Sequence, residues 1–317
     1  MCEAWGVSGG GAGLVASRAP VWPPPSEVAG YAARVAKDET RIGLPGVRAN
    51  QPVFLRADWR WLAMLNFPVD PAVLRDRIPA GTELDFHEGE TFVSVVGFRF
   101  LDTRVMGVPI PFHRHFDEVN LRFYVRRKSD DGWRRGVVFV KEMVPKRAIA
   151  WVARTLYGEN YHAVPMRHAI TEPAGPKPGS VGYEWMVDGR WHGLKVGIEG
   201  EPRPAAKGTE ARFITEHYWG YAGGRDRTTV EYEVQHPSWR LWNATWAKLD
   251  LDVTAVYGAE FEEALGAEPS SAFVAEGSAI TVHNGMKLED GMKLEDGMKL
   301  EDGALPEGGP AETPDVD

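Results

Sequence analysis

From about residue 51 to residue 284 the chain alternates apolar and polar positions in short runs. A period of two marks strands whose faces meet different surroundings. Thr91 to Phe100 is β-branched and aromatic and follows a turn at Glu88-Gly89. Val119 to Val125 sets Val, Leu, Phe and Val against Asn, Arg and Tyr, and Asp130-Asp131-Gly132 turns the chain into Gly136 to Met143. That pattern predicts a first hairpin. Tyr183 to Val187 and Arg190 to Ile198 flank Asp188-Gly189, the pair favoured by a type I′ turn, and predict a second. Ala211 to Tyr218 and Thr228 to Val234, either side of Gly223-Gly224, predict a third. Phe273 to His283 reads as a closing strand.

Helical signals are few. Asp70 suits an N-cap and Pro71 the first helical position, while Pro79 stops the segment by restricting Ile78. A second helix is expected from Pro145 to Tyr157, with Ile149, Val152 and Leu156 along one side and Gly158 as its stop. A third is expected over Val253 to Leu265, broken near Gly258. Three hairpins with covering helices predict an α+β domain, mainly antiparallel, with a curled or barrel-like sheet.

Composition sets the boundaries of that domain. Residues 285–317 carry ten acids against three lysines, while the first fifty residues are net +1. Of the overall charge of −9, residues 51–284 therefore hold only −3, and a broadly basic nucleic-acid surface is not expected. Residues 1–50, rich in Gly and Pro, predict a mostly disordered extension, with a short helix around Glu27 to Lys37 as its one helical signal. Gly285 to Asp290 is repeated unchanged at Gly291 to Asp296 and Gly297 to Asp302. A six-residue unit reading GMKLED cannot build a layer that buries itself, so 285–317 is expected to be a disordered acidic tail. The single domain is then 51–284, with ten of the twelve tryptophans. No apolar run approaches the roughly 18 residues needed to span a bilayer, so no membrane partner is expected. Cys2 is the only cysteine and the N-terminus lacks the pattern of a signal peptide, which points to the cytoplasm.

Three clusters could carry chemistry. In Pro145-Lys146-Arg147 two cations fall in the first turn of the expected helix, where the helix dipole favours acids. The helix terminus, the Arg147 charge and apolar Val144, Ile149 and Trp151 would all disfavour an ammonium and leave Lys146 a nucleophilic amine. The plainer alternative is that Lys146 reaches solvent or pairs with Glu142. Second, Glu118, Asn120, Arg122 and Tyr124 share one face of a strand, which is either a solvated surface or the wall of a polar cavity. Just before it, His113 and His115 are spaced for one strand face, with His217 and His236 available as further ligands. Their proline-rich setting fits a loop better, so no metal is expected. Third, Glu216-His217-Tyr218-Trp219-Gly220-Tyr221 gathers an acid, an imidazole and phenols that could move protons or orient a ligand, or else form an aromatic corner before Gly223.

Together with Asp58-Trp59-Arg60-Trp61-Leu62-Ala63-Met64-Leu65-Asn66-Phe67, Ser94-Val95-Val96-Gly97-Phe98 and Phe116-Asp117-Glu118-Val119-Asn120-Leu121-Arg122, the third cluster resembles the domain-of-unknown-function 2071 family over about residues 52–284. That family is placed in the acetoacetate-decarboxylase-like superfamily. The resemblance implies a bent, mainly antiparallel β-barrel with a few peripheral helices. In the decarboxylases, a Pro-Lys-Lys motif supplies a Schiff-base lysine and a second cation, a Tyr-x-Glu motif an acid, and an arginine near the domain start completes the site. Pro145-Lys146-Arg147 is similar to the first motif, Phe116-Asp117-Glu118 to the second with Phe for Tyr, and Arg60 is the nearest match for the arginine.

The expected function is binding of a small carboxylated or carbonyl-bearing molecule. Arg122, Asn120, Glu118 and Tyr124 would line the cavity, and Glu216, His217 and Tyr218 would close part of it, with no cofactor. One alternative is a decarboxylase-like enzyme in which Lys146 forms an iminium with a β-keto acid and Glu118 handles a proton. Another is a non-catalytic interaction module with the repeated tail facing its partner. Oligomerisation is left open.

Overall fold

The computed structural model describes residues 51–109, 113–145, 160–223 and 228–288. The expected N-terminal extension, the Pro145 to Tyr157 helix beyond Pro145, and the tail beyond Leu288 lie outside the described residues. In chain order, β1 (Val53–Val69) leads through α1 (Pro71–Leu74) and a 3-10 turn to β2 (Glu83–Leu84), β3 (Thr91–Val105) and β4 (Val108–Pro109). Then come the long hairpin β5 (Phe116–Ser129) and β6 (Gly132–Val144), followed by β7 (Tyr161–Ala163), β8 (Met166–Thr171), β9 (Gly179–Val187), β10 (Arg190–Ile198) and β11 (Arg203–Pro204). Next are α2 (Glu210–Thr215), β12 (Trp219–Gly223), β13 (Thr229–Gln235), β14 (Arg240–Asn243) and β15 (Trp246–Asp250). Last come α3 (Val253–Val256), α4 (Glu262–Leu265), β16 (Ser271–His283) and β17 (Met286–Lys287). Among the described residues no helix is long and apolar enough to cross a membrane.

The main sheet closes on itself. Its strands run β16-β1-β3-β5-β6-β12-β13, and β13 pairs again with β16 at Val234 and Val282. Most pairings are antiparallel, but β6 runs parallel to β12 and to β7, so the ring is mixed rather than uniformly antiparallel. A second, four-stranded sheet, β15-β10-β9-β8, stands apart from it. Each wall strand has two buried faces, and two apolar clusters result. One packs Ala63, Leu65, Val95, Leu121 and Phe123 of the ring against Tyr183, Trp185 and Val196 of the second sheet. The other fills the ring interior with Leu62, Met64, Val96, Phe98, Tyr124 and Phe213. Burial on both sides explains why β1 shows little alternation in sequence and reads as a nearly continuous apolar run.

Local chemistry agrees with several expected elements. The Asp70 carboxylate accepts from the Ala72 amide and caps α1. Asp188 and Gly189 both take positive φ, 48° and 79°, as a type I′ turn requires. Gly258, at φ 110°, interrupts the segment from Val253 to Leu265 where the break was expected.

Two expectations are corrected. Ala211 to Tyr218 is not a strand. Thr209 caps a helix there, its hydroxyl accepting from the Arg212 amide, with Glu210 in the favourable first turn. The third hairpin survives one element later, between β12 and β13. The domain boundary also moves: Met286 and Lys287, inside the first GMKLED copy, pair with Glu231 and Val230 of β13.

Candidate functional site

Inside the ring lies a cavity of about 140 Å³, walled mainly by aromatic side chains such as Trp59, Phe98, Phe100, Trp219 and Trp239. Its polar lining comes from few places. Glu118, Asn120 and Arg122 project from one face of β5, and His217 arrives from the turn between α2 and β12. Asn120 Nδ2 donates to Glu118 Oε1 at 3.0 Å, and Tyr161 OH donates to Glu118 Oε2 at 3.5 Å.

Bulges decide which residues face inward. In β1 the pairing slips between Arg60 and Ala63, and Trp61 takes a positive φ of 57°. Trp59 and Leu62 therefore both line the cavity although their spacing is odd. Opposite, Gly277 sits at φ 79° where a Cβ would collide with the Trp59 carbonyl, so only glycine admits this kink. In β6 the register slips as Leu121 pairs with Lys141 and Arg122 with Phe139. The slip turns Glu142 to the same side as Phe139, and Glu142, nearly fully buried, joins the cavity wall.

Among the described residues, Arg122 is the one lysine or arginine that lines the cavity. Its Nε donates to Tyr124 OH at 3.3 Å and its terminal nitrogen to the Ile214 carbonyl at 3.5 Å, with Met64 sulfur at 3.8 Å. All three acceptors are neutral. Among the described residues Arg122 has no carboxylate within ion-pair distance. Tyr124 OH is also bonded to Ser94 Oγ at 2.6 Å, and Ser94 to Asn66 Oδ1 at 2.6 Å, a buried chain that fixes the phenol behind the arginine.

A second polar group meets the cavity through His217. Its Nε2 lies 3.2 Å from Asp85 Oδ2, which also accepts from Arg135 Nε at 2.6 Å. Burial alone would raise the Asp85 carboxyl, but the Arg135 guanidinium and the His217 hydrogen bond overcome it and hold it at about 2. Burial, helped by the Arg135 charge, pushes His217 down to about 4 against the opposing pull of Asp85. His217 is therefore neutral at pH 7. His236, also on the wall, is pushed down to about 4 chiefly by burial. It stacks on Trp239 with ring centres 4.0 Å apart.

The structure thus brings together four of the expected site residues, Glu118, Asn120, Arg122 and His217. Tyr124 stands directly behind Arg122. Glu216 and Tyr218 are a layer further back: Glu216 accepts from Tyr218 OH and from Ser238 Oγ, both at 2.7 Å, and the Tyr218 ring lies tilted against His236 with ring centres 4.7 Å apart. Burial, then Glu216, pushes the Tyr218 phenol up to about 12. Arg60 is a correction. The β1 bulge turns it out of the cavity, where it donates to the Gly277 carbonyl at 3.2 Å and stays 40% exposed. Lys146 and Arg147 lie outside the described residues. His113 lines the cavity while His115 is exposed and accepts from the Asp102 amide, so the two do not converge. Among the described residues no three metal-ligating side chains group together.

Asp85, Arg135, Glu142 and Tyr161 are site residues the sequence did not reveal. Asp85 and His217 meet across 132 positions, and nothing local marks either for the other. The Arg134-Arg135 pair was a readable hint, since neighbours on a strand face opposite ways and two arginines then need two acids. Arg134 finds Glu231 at 2.6 Å, and Arg135 finds Asp85.

Known proteins offer four likenesses to this geometry and sequence. The family model of DUF2071, described as an uncharacterized conserved protein, matches residues 56–279. The uncharacterized protein YqjF of Bacillus subtilis is 28% identical over 217 residues, which is 66% of this chain and 84% of that protein. Among solved structures, the enduracididine biosynthesis enzyme MppR complexed with pyruvate superposes with a TM-score of 0.55 at 14% identity, covering 78% of this chain and 94% of that one. Acetoacetate decarboxylase from Legionella pneumophila superposes at 0.51 and 14% identity, covering 81% and 97%. At such identities these structures share the acetoacetate-decarboxylase-like fold.

Proposed function

The chain belongs to the DUF2071 family, and from that premise we propose that its ring binds a small carboxylated or carbonyl-bearing organic molecule. The observation that carries this reading is Arg122, a half-buried cation in an aromatic cavity with only neutral acceptors around it. A guanidinium withdrawn from water is costly without an anion, and a carboxylate can answer it with two parallel hydrogen bonds. A volume of about 140 Å³ is close to the roughly 150 Å³ that accepts a benzene, so the ligand is small. The aromatic walls suit a compact apolar body. The pyruvate bound to MppR is a ligand of this chemical kind in a related fold.

The test is a thermal-shift and calorimetric titration of the full chain with small aliphatic and aromatic acids. A binder at one hundred times its Kd stabilises by about 2.7 kcal/mol, and Arg122→Met should remove that gain. A panel in which no acid stabilises the wild type, or in which Arg122→Met responds equally, overturns the proposal.

A second reading is catalytic. Glu118 and Glu142 line the same cavity, and Glu142 comes four residues before Lys146. The Lys146 amine would condense with the ketone of a β-keto acid, releasing water. Carbon dioxide would then leave as the iminium takes up the bonding electrons, and Glu118 would serve the protonation of the resulting enamine. Borohydride in the presence of a keto acid should leave a stable mass increase on Lys146 that Lys146→Ala lacks. An unmodified chain across a panel of keto acids sinks this reading and leaves the first standing.

A further inference from the structure

The hydrogen-bonding demands of the cavity are asymmetric around Arg122. The Asp85 carboxylate, ionised at neutral pH, can only accept, so the His217 nitrogen facing it carries the hydrogen. In a neutral imidazole the other nitrogen then holds a lone pair. That atom, Nδ1, is buried with no hydrogen-bond partner among the described residues. Asn120 repeats the situation. Its Nδ2 is given to Glu118, and its Oδ1 is buried without a partner among the described residues. Both side chains line the cavity that contains Arg122: Asn120 lies two positions along the same strand face, and His217 is close enough for the Arg122 charge to bear on it. Trp59 Nε1, a donor, and Thr103 Oγ1, which can act either way, are further atoms of cavity-lining residues buried without a hydrogen-bond partner among the described residues.

We infer that the cavity selects 2-hydroxy acids: the carboxylate pairs with Arg122, and the adjacent hydroxyl donates to His217 Nδ1, which Asp85 holds as an acceptor. This rests on Arg122 being the carboxylate anchor and adds a requirement to it. A plain carboxylic acid of the same shape leaves the imidazole lone pair buried and unsatisfied. A 2-oxo acid sets a carbonyl lone pair against it. Sites built to bond one hydroxyl discriminate strongly against analogues that lack it, because the site's own polar atom is stranded. Asp85 is a positioning residue, and His217 determines specificity.

Calorimetry on the full chain with 2-hydroxyisovalerate, isovalerate, 2-oxoisovalerate and valine tests the inference. The hydroxy acid should bind about tenfold or more tightly than the other three. His217→Leu should reduce that preference to less than about threefold while retaining acid binding, whereas Arg122→Met should lose all binding. Nitrogen-15 NMR of the wild-type histidines, with His217→Leu for assignment, should show the Nε2-protonated neutral form at His217. Equal binding of the hydroxy, plain and oxo acids overturns the inference and leaves carboxylate binding intact. Tighter binding of valine replaces the hydroxyl with an ammonium and also overturns it. An Nδ1-protonated ring does the same without any variant, and failure of every acid to bind removes both proposals together.

Discussion

Strand β5 presents two faces made of neighbouring residues, and they obey different rules. Val119, Leu121, Phe123 and Val125 point away from the ring interior and are wholly buried in the cluster shared with the second sheet. Glu118, Asn120, Arg122 and Tyr124 point inward, and three of these four carry amide or ionised groups. Folding explains the first set completely, since apolar area removed from water stabilises in proportion to its extent. It does not explain the second. An inner face of valine and leucine would bury as well without desolvating a guanidinium and a carboxylate. The polar inner face is the part of the strand that folding does not require.

The sharpest way to break this contrast is to truncate each face once. Phe123→Ala should cost about 3–5 kcal/mol in urea unfolding, the range for an aromatic ring removed from a close-packed core. Arg122→Met should be neutral or stabilising, since an apolar side chain of similar length replaces a buried cation at little or no cost. A large destabilisation by Arg122→Met would mean that the inner face holds the ring together, and the division of labour would fail.

Acid probes the inner face through His217 and His236, with His192 of the second sheet, also pushed down chiefly by burial, adding to the response, and should have an intermediate effect. His217 titrates near 4 in the folded chain against 6.5 in an ordinary histidine. The unfolded chain therefore binds a proton that the native state refuses between those values. Stability is fully present above about 6.5 and declines as the pH falls toward 4, by on the order of 1–2 kcal/mol between pH 6.5 and 5. His236, pushed down to about 4 as well, adds a loss of the same sign over the same range. Asp85, held near 2 against an ordinary 3.8, contributes stability above 3.8 that is lost only as the pH falls further toward 2. Urea midpoints should fall from pH 7 to pH 5 in the wild type and less steeply in His217→Phe. A flat wild-type profile would show that the imidazole is solvated.

How far the sequence could be read follows from the same strands. Period-two alternation is a local signal, and it placed Glu118, Asn120 and Arg122 on one face and the turns at Asp130-Asp131-Gly132 and Asp188-Gly189 between strands. A bulge breaks the count without leaving a reliable mark. Nothing near Trp61 or Val140 announces that the face changes there, so Glu142 went unnoticed as a wall residue and Arg60 was placed on the wrong side. The helix at Glu210–Thr215 was legible through Thr209 and Glu210, but Phe213 and Ile214 gave it the apolar, branched look of a strand. The Asp85–His217 contact is tertiary and had no local signature at all.

The smallest effect is the most exacting check on the bulge. Arg60 resembles the arginine that an acetoacetate-decarboxylase-like site would use, and strict alternation from Leu62 would send it into the cavity. The extra residue at Trp61 sends it outward instead. There it bonds a backbone carbonyl and stands 4.0 Å from Asp58, an exposed pair of a kind that contributes from nothing to about 1 kcal/mol. Arg60→Ala should accordingly shift the urea midpoint by less than about 1 kcal/mol and leave acid binding within twofold of the wild type. Arg122→Met should abolish that binding. If Arg60→Ala instead removes acid binding, β1 is threaded one residue out of register in the native protein, and Trp59, Leu62 and the cavity they line must be redrawn with it. A small, specific null at Arg60 beside a complete loss at Arg122 is what a kinked wall anchored by Arg122 requires.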